Sequence, residues 1–115
     1  MSHVSFDKIY ALEETSFIAG TEYTLDFDIF DNLGIPVDLS GANCSWKLCY
    51  YGQPEYAVLT KSATIISTSK IRVLLLSEDT QTLNGKFIQQ PIILDGNGST
   101  FRPDQGIIYL SPAIQ

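Results

Sequence analysis

Few residues in this chain could do chemistry. One histidine, His3, and two cysteines, Cys44 and Cys49, accompany thirteen Asp plus Glu and seven Lys plus Arg in 115 residues. The densest acidic run is "EYTLDFDIFD", Glu22 to Asp31, where Glu22, Thr24, Asp26 and Asp28 share one parity and Tyr23, Leu25, Phe27 and Ile29 the other. A glycosidase needs two carboxyls facing each other across a cleft, and among so many acids such pairs are easily nominated by chance. Asp26 and Asp28 would lie about 6.6 Å apart along one strand, with no His, Cys or further acid placed beside them. The acidic row therefore reads as a solvated face, with Asp26 and Asp28 as candidate contacts to basic residues of a partner.

Nucleophilic catalysis needs a base beside a hydroxyl or thiol, and the single His sits near a terminus. The two cysteines are five positions apart in one extended run. They would be about 16 Å apart on opposite faces, too far for a disulfide and unsuited, with His3, to a zinc set. "DGNGS", Asp95 to Ser99, begins like a calcium loop but lacks its further acidic ligands, and reads as a hairpin turn. Asp95 and Asn97 are kept as exposed candidate contacts. Gly96 and Gly98 are followed by neither a Lys-Ser/Thr pair nor a helix, so no phosphate loop is expected. We expect no enzyme activity, no cofactor and no metal.

Aromatic residues offer another kind of recognition. Tyr50, Tyr51 and Tyr56 surround "YYGQPEY", whose exposed turn also carries Gln53 and Glu55. Tyr51, Gln53 and Glu55 are candidate partner contacts, and the tyrosines make carbohydrate binding the alternative function.

Charge excludes some partners. A net charge of -6 and a pI near 4.4 oppose binding to nucleic acid or anionic lipid. No apolar run reaches membrane-spanning length, and "MSHVSFDKIYALEETSFIAG" lacks the layout of a secretion signal.

The elements that must position these residues have period two. A first strand is expected within Val4 to Leu12, with Met1 to Ser5 a loose arm, and a second in the acidic run. "DNLGIPVDLSGA" supplies turns around an extended piece at Pro36 to Leu39. In the strand Asn43 to Tyr51, Cys44, Trp46, Leu48 and Tyr50 share a face, with Trp46 at the centre of the core. Strands follow at Tyr56 to Ile66 and Ile71 to Leu76, where Leu74 breaks the alternation and both faces read as covered. Ser77 to Leu83 reads as one short helical turn crossing between sheets. In "NGKFIQQPIIL", Pro91 cannot donate a ladder hydrogen bond and suggests a sheet edge or bulge. The last strand is Ile107 to Leu110. Residues 1–115 thus form one all-β domain, an immunoglobulin-like β-sandwich of about seven antiparallel strands.

The order of "VDLSGANCSWKL", "IRVLLLSEDTQTLNGKFIQQPIILDGNG" and "QGIIYLSP" resembles the immunoglobulin-like amino-terminal domain of phage baseplate upper proteins and related tail and capsid accessory domains. The matching elements are Asp38 to Ala42, Ser77 to Thr80, Gly85 to Phe87 and Asp95 to Gly98. The resemblance implies a non-enzymatic virion protein, assembled in the host cytoplasm in many copies, with other virion proteins as partners. As baseplate upper proteins carry further segments after this domain, we expect a capsid decoration protein first and a small tail or baseplate component second.

Overall fold

The computed structural model describes residues 2–6, 14–31, 33–103 and 106–112. These form nine strands: β1 (Ser2–Phe6), β2 (Glu14–Ile18), β3 (Tyr23–Asp28), β4 (Asn43–Tyr50), β5 (Ala57–Ser67), β6 (Lys70–Leu75), β7 (Gly85–Leu94), β8 (Thr100–Phe101) and β9 (Gly106–Ser111). One turn of helix, α1 (Ser77–Thr80), lies between β6 and β7. The strands pair in the order β1-β3-β6-β5-β4-β7-β9-β2, with β8 beside β7.

Strand β5 makes the corner. Up to Ala63 it pairs with β4, and from Thr64 onward it pairs with β6. One long strand thus joins a first layer, β1, β3, β6 and the end of β5, to a second layer built from the start of β5 with β4, β7, β9 and β2. The curled sheet is an all-β, sandwich-like fold.

Alternation builds its core. Leu25, Phe27 and Ile29 come from β3 and the residue after it, Ile71, Val73 and Leu75 from β6, and Trp46, Leu48, Phe87, Ile93, Ile108 and Leu110 from the second layer. Each such buried side chain contributes about 1.5 to 3 kcal/mol relative to exposure. Trp46 is fully buried, as expected, and its Nε1 donates to Oε1 of buried Gln89 at 2.9 Å. An indole N–H left unpaired there would cost about 1 to 3 kcal/mol.

Four expectations need correction. The sheet is mixed, because β1 runs parallel to β3 and β2 parallel to β9. The expected loose arm is, from Ser2, strand β1 on the edge of β3, where Val4 packs against the core; Met1 and residues 7–12 of the expected first strand lie outside the described residues. Pro91 sits in an inner strand, opposite Trp46. Along the other flank of β7, β9 pairs up to Gln89 and β8 begins at Ile93, so the missing N–H falls in a gap. Leu74 is 48% exposed, so the outer face of β6 is open there.

The expected helical turn is present. Asp79 Oδ2 accepts the Leu76 N–H at 2.8 Å, capping α1, and the Thr80 hydroxyl accepts the Gly20 N–H at 2.9 Å. Lys61 on β5 reaches Asp79 at 2.9 Å, tying α1 to the second layer.

Candidate interaction surfaces

The acidic parity of β3 is not uniformly wet. Antiparallel register places Arg72 of β6 opposite Asp26 and Lys70 opposite Asp28. Arg72 Nε and Nη2 donate to the two Asp26 oxygens at 2.8 and 3.0 Å, a bidentate pair. On the other side β1 lies alongside, with Ser5 in register with Asp26, and only 4% of Asp26 is exposed. The hydrogen bond to Asp26, and then its charge, raise the Arg72 pKa. Asp28 is half-buried and meets Lys70 at 3.5 Å. Asp26 is thus a cross-strand partner rather than an accessible contact, and the expectation of a solvated row holds only toward Glu22, which is exposed.

Asp95 has an internal task as well. Its Oδ1 accepts the backbone N–H groups of Asn97 and Ser99, each at 2.9 Å, while Gly98 turns at φ 88°. This aspartate-led hairpin turn joins β7 to β8. Asn97 is exposed at its tip. Among the described residues no group of three His, Cys, Asp or Glu side chains is placed to hold a metal ion.

The β4–β5 turn carries the other candidates. Gln53 N–H donates to Tyr50 O at 2.9 Å and Tyr56 N–H to Gln53 O at 3.0 Å, leaving Gln53 and Glu55 exposed. Lys86 Nζ lies 5.0 Å from the centre of the Tyr51 ring, a cation-π contact. Tyr50, expected on the core parity of β4, is 47% exposed and stacks on Phe87.

These candidates do not converge. Asn43 pairs with Leu94, next to Asp95, whereas Tyr50, next to Tyr51, pairs with Phe87. The length of β4, about 23 Å, separates the two turns. Asp26 and Asp28 belong to the other layer.

Both cysteines are free thiols, as their spacing requires. Burial raises both pKa values; at Cys49, Lys47 opposes this and Glu55 adds to it.

The turn expected in "DNLGIPVDLSGA" is also led by an aspartate, a role the sequence reading did not assign to Asp31. Asp31 Oδ1 accepts the N–H groups of Leu33 at 2.8 Å and Ile35 at 3.0 Å, with Gly34 at φ 80°. The turn repeats the spacing of Asp95 to Ser99, yet it holds an apolar side chain in solvent, Leu33 being 77% exposed. The shared Asp-x-x-Gly spacing was the available signal.

No protein-family model and no curated protein matches the chain. Among solved structures, the N-terminal domain of phage TP901-1 ORF48 matches with a TM-score of 0.68 and 9% identity, over 96% of this chain and 99% of that one. A phage domain shares this fold. At that identity the likeness concerns the fold alone, and it extends over nearly the whole of both chains.

Proposed function

We propose that this chain is a structural component of a phage virion, a non-enzymatic interaction domain of the tail or baseplate that works by surface complementarity. The observation that carries the reading is the end-to-end fold likeness to the N-terminal domain of phage TP901-1 ORF48. Four sequence elements accompany the fold likeness in supporting a phage virion role. Asp38 to Ala42 leads into β4, Ser77 to Thr80 is α1, Gly85 to Phe87 opens β7, and Asp95 to Gly98 is the β7–β8 turn. Each resembles its counterpart in the amino-terminal domain of baseplate upper proteins and related tail and capsid accessory domains.

The sandwich is read as immunoglobulin-like within the same proposal. In that fold one sheet is ordered A-B-E-D and the other C-F-G. The layer orders β1-β3-β6-β5 and β4-β7-β9 support this correspondence, with β2 added beyond β9. Many copies, assembled in the host cytoplasm, would share the binding through avidity.

The test is co-sedimentation of the purified protein with separated heads and tails from particles assembled without it. Pelleting with tails alone is expected. Pelleting with heads would move the role to the capsid lattice, and pelleting with neither would overturn the virion reading.

A further inference from the structure

We propose that the outer face of the second layer is a docking groove for an extended, acidic segment of another polypeptide, gripped by Lys47 and Arg102. Two recesses meet there, sharing Ile92 and Arg102. The smaller, about 170 Å³, runs past Lys47, Ile88 and Gln90 toward Cys49. The larger, about 700 Å³ and shallow, continues along Ser45 and Asn43 to Leu94 and Thr100. From Asn43 to Cys49 the combined groove is about 20 Å long, which matches an extended segment of about six residues.

Charge selects the occupant. Among the described residues, no Asp or Glu lines either recess. Three of the chain's cations are already answered, Lys61 by Asp79, Lys70 by Asp28 and Arg72 by Asp26, and Lys86 lies over Tyr51. Lys47 and Arg102 form no ion pair among the described residues, and both line the smaller recess. The cross-strand neighbours of Lys47 are Thr60 and Gln90, both neutral.

The wall holding Arg102 is fastened to the sheet. Gln90 Nε2 donates to the Pro103 carbonyl at 2.6 Å, drawing the segment after β8 against β7. Half-buried Ile88 and Ile92 give alternate side chains of an extended partner an apolar floor, while the two cations face its carboxylates. The overall charge of -6 disfavours approach of an acid from a distance. At physiological ionic strength screening acts beyond about 8 Å, so the acid-free groove decides the contact. Two cations on so acidic a chain are a poor match for a phosphate backbone.

The groove requires no particular identity of its partner. Failure to bind tails would leave it standing, and failure of the groove would leave loop tips and sheet edges for virion docking.

Fluorescence anisotropy with the whole chain tests it, using labelled octapeptides of alternating Glu and Val or alternating Gln and Val. The Glu peptide should bind at least about tenfold tighter than the Gln peptide, and the Lys47→Gln, Arg102→Gln double variant should lose about tenfold for the Glu peptide alone. Equal affinity for both peptides, an unchanged double variant, or no binding up to about 1 mM would overturn the proposal. So would tighter binding of a single-stranded oligonucleotide, or self-association of the free protein that the double variant abolishes, which would assign the groove to a second copy.

Discussion

The outer faces of the two layers both carry cations, but they place them opposite different neighbours. On the first layer Arg72 and Lys70 stand directly across the ladder from Asp26 and Asp28. On the second, Lys47 stands between Thr60 and Gln90, and Arg102 projects from the segment after β8, with no acid among the described residues of the shared recess. Register decides the difference. A charge met in register is taken up by the sheet, whereas one flanked by neutral residues keeps its field for something outside the chain.

Breaking the first face should have the largest effect on stability. Arg72→Ala leaves the nearly buried Asp26 carboxylate without its bidentate partner, and urea denaturation should record the largest loss of stability among the variants considered. Arg72→Lys should recover only part, because an ammonium cannot reproduce two parallel bonds. An unchanged denaturation midpoint would mean that the pair is not structural.

A smaller effect is expected where α1 meets β5. Burial alone would raise the Asp79 pKa, but the Lys61 ammonium and the Leu76 N–H together hold it below the ordinary 3.8. Because the folded value is depressed, the contribution is complete above the unfolded value of 3.8 and is lost as pH falls through the folded one. Asp79→Asn should cost about 1 kcal/mol near neutrality and flatten the acid limb of the stability profile. An unchanged acid limb would show that the pair contributes nothing.

The smallest effect on stability belongs to the second face. The Lys47→Gln, Arg102→Gln double variant should unfold within about 0.5 kcal/mol of the parent. Its loss should appear in binding. If the double variant were as damaging as Arg72→Ala, the contrast between the faces would disappear.

The sequence displayed the core much better than the surfaces. Period-two alternation placed Leu25, Phe27, Ile29, Trp46 and Leu48 correctly, because inward and outward parity is a local property of a strand. The fate of Asp26 was not local, since its partner lies 46 positions away. The alternation of Lys70 and Arg72 was visible, but only the β3–β6 register shows that it meets the acidic row. The same holds for Pro91, tolerated because the neighbouring ladder is interrupted, and for Ser2 to Phe6, ordered by an edge on β3. Among the candidate contacts, Tyr51, Gln53, Glu55 and Asn97 are exposed, as loop and turn chemistry suggested. The meeting of Lys47 and Arg102 in one recess was not legible, because that recess arises only when separate stretches of chain are brought together.

A density map of the intact particle tests the account most directly. The outer face of the second layer should lie against a neighbouring subunit, with a carboxylate of that subunit within ion-pair distance of Lys47 or Arg102, while the Asp26–Arg72 pair stays intact on the first layer. A map in which the second face is bare to solvent and the first layer is docked through its acids would contradict it.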